Sequence, residues 1–164
     1  MILKKSNVTL STLKLLDEVN KNMNITFSSN FKISDGKFCT VYYLFDDIDF
    51  VGYIVTINIT KYSFDELKDR ELNVDTKLNS IALSEQMNNI LICNFGIFNS
   101  YKNKNYEDIL IKEILKDNKD KNICWLVDNQ YLDAIVSKYM KKSYTSENGI
   151  QVYIQQNCFY DYCF

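Results

Sequence analysis

Residues 89–98 read Asn89-Ile90-Leu91-Ile92-Cys93-Asn94-Phe95-Gly96-Ile97-Phe98, and residues 105–116 read Asn105-Tyr106-Glu107-Asp108-Ile109-Leu110-Ile111-Lys112-Glu113-Ile114-Leu115-Lys116. The first is a short apolar run, the signature of a strand buried on both faces in the middle of a sheet. The second places Ile109, Leu110, Ile111, Ile114 and Leu115 along one side of a helix, leaving the acids and lysines for water. Between them lies Asn99-Ser100-Tyr101-Lys102-Asn103-Lys104, a polar turn without glycine. A central strand feeding a turn and then an amphipathic helix is a unit of α/β architecture.

The same reading extends outward. Downstream, Ile123 to Val127 predicts a short buried strand, Gln130 to Lys142 a helix, and Ile150 to Gln155 an alternating strand. Upstream, Phe38 to Phe45 and Phe50 to Tyr62 are rich in β-branched and aromatic residues, and Asp46-Asp47-Ile48-Asp49 supplies the turn of an antiparallel hairpin. Ser63 to Asn88 is polar and weakly periodic, a variable excursion with some helix. Ser11 to Asn22 predicts a first helix, with Leu13, Leu16 and Val19 at helical spacing. No linker or internal repeat interrupts this order. The expectation is α/β: a single domain over residues 1–164, with a mixed, mostly antiparallel central sheet flanked by helices.

Composition narrows the function. The chain has 164 residues, 46% hydrophobic and 24% charged, with a net charge of -2, values of a folded domain with no electrostatic case for nucleic acid. Histidine is absent, which excludes histidine bases, triads and metal ligands. Proline is absent and glycine occurs four times, too few and too scattered for a glycine-rich phosphate loop. The abundance of Asn, Ile, Lys and Tyr reads as the codon bias of an AT-rich genome. Cys39, Cys93, Cys124, Cys158 and Cys163 lack metal-site spacing. Cys93 and Cys124 sit in apolar runs as buried thiols, and Cys158 with Cys163 is the one pair close enough in sequence to consider as a disulfide. No stretch has the length of a membrane span or the apolar core of a signal peptide, so a cytoplasmic location is expected.

From Phe38 to Gln155 the order of elements resembles the GNAT acetyltransferase superfamily. In that family the central strand runs into a turn of the form Arg/Gln-x-x-Gly-x-Gly/Ala, whose backbone amides and following helix hold the diphosphate of acetyl-CoA. The physics is that of unpaired N–H groups at a positive helix end. Here Lys102 falls where the family has Arg or Gln, and Asn105 and Glu107 fall where it has its two small residues. Asparagine adopts left-handed backbone more readily than most residues, so Asn103 and Asn105 are expected to stand in for glycine. Glu107 opposes the phosphates, at a cost of about 1 kcal/mol or more, while Lys102 and Lys104 offer them positive charge. Read on its own, the segment is a capped helix start, with Asn105 as N-cap and Glu107 and Asp108 in the first turn.

The resemblance implies acetyl-CoA or another acyl-CoA as co-substrate, and a small-molecule or protein amine as acceptor. It implies that the backbone at Ile97 and Phe98 pairs with the pantetheine arm and that Lys102, Asn103, Lys104, Asn105 and Tyr106 meet the diphosphate. Tyr139 falls where a family tyrosine protonates the departing thiolate, a role a phenol can fill while protonated at neutral pH. Asn129 and Ala134 belong to the same matching stretch, and Ser143-Tyr144 replaces a Gly-Phe pair. Glu85, Asp49 and Asp65 are the carboxylates considered as base. Cys93 has nothing beside it in sequence to activate a nucleophile. The aromatic tail, residues 157–164, is expected to pack back on the sheet or to dock on a protein partner or a second copy. The alternative reading is a catalytically degenerate GNAT-like module that binds another protein, of the kind a virus or phage uses against a host.

Overall fold

The structure is a computed structural model that describes residues 2–7 and 38–157. In chain order the strands are β1 (Ile2–Asn7), β2 (Cys39–Asp46), β3 (Asp49–Asn58), β4 (Asn89–Ile97), β5 (Asn122–Val127), β6 (Lys142–Thr145) and β7 (Gln151–Gln155). The α-helices are α1 (Lys61–Lys68), α2 (Tyr106–Asp117) and α3 (Gln130–Val136). The strands form one sheet in the order β1-β2-β3-β4-β5-β7-β6. Every neighbouring pair is antiparallel except β4 with β5. The expected α/β fold with a mixed, mostly antiparallel sheet is the fold observed.

The apolar runs of β3, β4 and β5 supply both faces of the sheet. On one face Val41, Val55, Ile57, Leu91 and Leu126 pack with Phe64 and Leu67 of α1. On the other, Ile54, Ile92, Phe95 and Trp125 pack with Leu110, Ile111 and Ile114 of α2 and Leu132 of α3. Gly52 lets β3 and β4 close up: a Cβ there would lie 2.5 Å from the Gly96 carbonyl oxygen, inside any tolerable contact.

Several boundaries differ from the sequence reading. The second hairpin strand stops at Asn58 rather than Tyr62, because the Thr60 side chain accepts the Ser63 N–H at 3.1 Å and opens α1 at Lys61. The helix expected from Gln130 to Lys142 ends at Val136. Beyond it, Lys142–Thr145 forms an edge strand, tied down by Arg70 donating to the Ser143 carbonyl at 3.2 Å and by the Tyr144 hydroxyl donating to the Leu67 carbonyl at 2.7 Å. Residues 63–88 are more than a polar excursion, since Leu72, Val74, Leu78 and Ile81 are buried against the sheet. β1, not expected from the sequence, pairs along β2 from Ile2↔Phe45 to Asn7↔Thr40. The helix expected over 11–22 and the tail from Cys158 onward lie outside the described residues. Asn157, where that tail begins, is buried and donates its N–H to the Asn122 side chain at 2.8 Å.

Candidate functional site

The site grows from the one parallel contact in the sheet among the described residues. β4 and β5 pair only from Asn89↔Asn122 to Ile92↔Trp125, although β4 continues to Ile97 and β5 to Val127. On its other side β4 remains paired with β3 as far as Gly52↔Ile97, with a bulge between Ile92 and Asn94. The two parallel strands therefore part where the bulge turns β4, and the cleft between their C-terminal ends is a gap in pairing closed in by buried residues, Phe95 and Ile97 on one side and Leu126 and Val127 on the other. Backbone direction alternates along a strand. The Phe98 N–H donates to the Val51 carbonyl at 3.0 Å, so by alternation Phe95 and Ile97 turn their backbone groups toward the cleft.

This separates two residues that the sequence reading grouped together. Ile97 has its backbone on the cleft side. Phe98 does not: its N–H is taken by Val51 and its carbonyl accepts the Tyr101 N–H at 2.9 Å. Phe98 instead fixes the end of the strand, its ring edge-on to Phe50 at 5.8 Å.

From Phe98 the chain makes a single 3-10 turn, Asn99–Tyr101, and enters the loop before α2. Asn103 and Asn105 have φ of 60° and 66°, the left-handed conformation expected of asparagines replacing glycines. Asn105 occupies the N-cap position, but its side chain makes no capping bond, in contrast to the plain-cap reading. Glu107, in the first turn, folds back on the loop instead. Its side chain is 1% exposed, and its carboxylate accepts the Tyr131 hydroxyl proton and, at 3.4 Å, the Asn103 N–H. The same N–H lies 3.1 Å from the Tyr131 oxygen. Glu107, Tyr131 and Asn103 thus form a closed triangle inside the turn.

Two further tyrosines donate to carboxylates around this helix end. Tyr106 donates to Asp46, at the tip of the β2–β3 hairpin. Tyr139 donates to Asp108, whose carboxylate is 3.7 Å from the Lys138 ammonium. The Tyr139 pKa is raised, first by the bond to Asp108 and then by desolvation. That of Tyr131 is pushed up to about 12 by burial and then by the bond to Glu107. Each phenol holds its proton at neutral pH. Lys102 lies over the Tyr131 ring and Lys104 over the Tyr101 ring, both at 5.8 Å from the centroid.

The carboxylates considered as base are placed elsewhere. Asp65 is bonded to Lys61 at 2.6 Å, and its pKa is lowered because that pair and Lys68 outweigh desolvation. Glu85 is exposed before β4, and Asp49 is exposed at the hairpin turn. Asp128, which the sequence reading passed over, stands directly after β5 at the mouth of the cleft. It is exposed like Glu85 and Asp49, but its pKa is raised by desolvation from the side packed on the strand end, partly offset by a backbone bond. The sequence signal was its place one residue past a strand in an α/β sheet, where ligands gather. Asn129 beside it caps α3, accepting the N–H groups of Tyr131 and Leu132 at 2.8 and 3.2 Å. Cys39 and Cys124 are buried thiols, the side chain of Cys93 lies outside the described residues, and no metal-ligating cluster occurs among those described.

Set against acyl-CoA, the two halves of the site behave differently. Beyond Ile92, Phe95 and Ile97 on β4 have no strand partner on the β5 side. The turn does not fit a diphosphate, because the buried Glu107 carboxylate already takes the Asn103 amide.

No family model matches the chain, and no curated protein matches it in sequence. Solved structures do match. The loading GNATL domain of CurA from Lyngbya majuscula superposes with a TM-score of 0.62 at 10% identity, covering 98% of this chain and 100% of that one. A chimera of the Vibrio cholerae spermidine N-acetyltransferase SpeG with hSSAT gives 0.61 at 10% identity, with coverage of 98% and 99%. The PaiA N-acetyltransferase from Thermoplasma acidophilum, in complex with coenzyme A, gives 0.51 at 11% identity, with coverage of 95% and 99%. The likeness is one of fold, and the fold is that of the GNAT acetyltransferases.

Proposed function

We propose that this chain is an N-acyltransferase that takes an acyl thioester of the acyl-CoA type in the cleft between β4 and β5 and passes the acyl group to an amine. The observation that carries the reading is the end of parallel pairing at Ile92↔Trp125, which leaves the backbone of the buried residues Phe95 and Ile97 without a strand partner on the β5 side. The amide-bearing arm of a thioester can join such an edge as an added strand. Neighbours of the same fold include a spermidine acetyltransferase chimera and an acetyltransferase in complex with coenzyme A, which supports an amine acceptor and a CoA-type donor.

In this reading the amine nitrogen attacks the thioester carbonyl, and the C–S bond breaks as the C–N bond forms. Asp128, with its carboxyl raised by desolvation, takes the proton that the amine loses. The Tyr139 hydroxyl, which donates to Asp108 in the resting protein, turns its proton to the departing thiolate and is reprotonated from solvent. Most of the acceleration comes from holding amine and thioester together. The test is thiol release from acetyl thioesters in the presence of spermidine or a lysine peptide. Amine-dependent release that falls about 100-fold or more in Tyr139→Phe and Asp128→Asn supports the reading. No release above the blank from any thioester contradicts it.

One observation favours a second reading. Glu107 fills the turn from inside the protein, as expected of a fold that has left catalysis for binding another protein. A chain that binds no thioester but captures one partner stoichiometrically belongs to that reading.

A further inference from the structure

We infer that the donor this chain selects is a pantetheine thioester lacking the nucleotide diphosphate, because Glu107 supplies from within the protein the anion that would otherwise be a phosphate. The inference rests on the acyl-transfer reading above and narrows its donor.

The turn before α2 is built for an anion in backbone only. Its two left-handed asparagines curl the chain as glycines would, and the helix that follows presents the positive end of its dipole. The Glu107 carboxylate already lies within that turn, accepting the Asn103 N–H at 3.4 Å and the Tyr131 hydroxyl. At 1% exposure, with the Tyr131 hydroxyl and the Asn103 N–H as donors, it cannot swing aside without leaving the Tyr131 hydroxyl unpaired, although the Asn103 N–H keeps the Tyr131 oxygen at 3.1 Å. The surroundings add to the repulsion. Asp108 shares the first turn of α2, and Asp46 and Asp49 reach the same region from the hairpin, one bonded to Tyr106 and the other raising the Tyr101 pKa after desolvation. Of the nearby cations, Lys138 pairs with Asp108, and Lys102 and Lys104 lie over tyrosine rings. A diphosphate here would be a second anion in an occupied niche. The pantetheine arm carries no charge, and the β4 edge asks for none.

A free pantetheine thioester carries no phosphate, and an arm carried on a protein keeps a single phosphodiester in place of the nucleotide diphosphate; both lack the diphosphate, and the experiment separates them. Acetyl-pantetheine, an acetylated carrier protein and acetyl-CoA are compared as donors by kcat/KM. In parallel, pantetheine and CoA are titrated calorimetrically under reducing conditions, a readout independent of turnover. The expected result is that acetyl-pantetheine or the carrier protein equals or exceeds acetyl-CoA, the better of the two identifying the source, and that CoA binds no tighter than pantetheine. In Glu107→Gln, and to a smaller degree in Asp49→Asn at the exposed hairpin turn, acetyl-CoA improves by about tenfold relative to acetyl-pantetheine. A wild-type preference for acetyl-CoA of about tenfold or more would overturn the inference while leaving acyl transfer intact. Failure of every thioester to bind or react overturns the acyl-transfer reading, and the inference with it.

Discussion

The two ends of helix α2 use the same chemistry for opposite purposes. At the C-terminal end, Tyr42 from β2 donates to Asp117 at 2.6 Å, Lys5 from β1 donates to the same carboxylate at 3.0 Å, and Asn118 donates to the Tyr42 oxygen at 3.2 Å. A phenol, a carboxylate and a lysine there lock an edge strand to a helix, with cations near the negative end of the dipole. At the N-terminal end, Tyr106, Tyr131 and Tyr139 also donate to carboxylates, but acids crowd the loop and two asparagines hold left-handed backbone. The first end is a tether. The second has the backbone of an anion site with a carboxylate already in it. Tyrosine–carboxylate bonds alone therefore do not mark function; the backbone conformation and the local charge do.

The largest effect comes from removing what both ends share. Leu110→Ala deletes a fully buried side chain at the centre of the α2 interface and is expected to cost about 2–5 kcal/mol, read as a lowered urea midpoint. Glu107→Ala breaks the N-terminal end alone. With the Tyr131 hydroxyl left without its acceptor, about 1–3 kcal/mol is lost, and Glu107→Gln, which keeps an acceptor, loses less. Tyr42→Phe breaks the C-terminal end by about 1 kcal/mol, measured the same way.

Titration sharpens the contrast. The Asp117 pKa is lowered below its ordinary 3.8, chiefly by the Tyr42 hydroxyl and then, against desolvation, by Lys5. A carboxylate depressed on folding contributes fully above that value, and its contribution is lost as the pH falls through the folded pKa. Tyr131, raised from 10.0 to about 12, contributes fully below pH 10.0 and is lost as the pH rises through about 12. Tyr42→Phe should therefore flatten the acid limb of a stability–pH profile, whereas Tyr131→Phe should leave the acid limb unchanged and flatten the alkaline limb. Exchange of those two assignments would contradict the account. The smallest effect is Lys5→Ala. Its side chain and that of Asp117 are 47% and 43% exposed, so the thermal midpoint should move by no more than about 0.5 kcal/mol allows, and less in high salt.

What the sequence disclosed follows the range of the forces involved. Strand β4 and helix α2 were legible because apolar continuity and helical period are local signals. Asn103 and Asn105 were legible as left-handed because that preference belongs to the residue itself. Glu107 was recognised as the obstacle to phosphate, but not as an internal ligand, because its partner Tyr131 arrives 24 residues later in the chain. Asn105 was assigned a capping side chain that it does not use, for the same reason. Edge strands β1 and β6 escaped notice: Ile2-Leu3-Lys4-Lys5-Ser6-Asn7 and Lys142-Ser143-Tyr144-Thr145 lack alternation, and only the pairing with β2 and β7 makes them strands. Asp128 carried no motif at all; the parting of two strands gave it a place.

The central claim is that the β4 edge, and not the turn before α2, receives the thioester arm. The most direct measurement is a titration of isotope-labelled protein with pantetheine, followed by amide chemical shifts. The account expects movement at Phe95 and Ile97 on β4 and at Leu126 to Asp128 across the cleft, with the Asn103 and Asn105 amides unmoved. Movement confined to Asn103 and Asn105, with β4 silent, would contradict it.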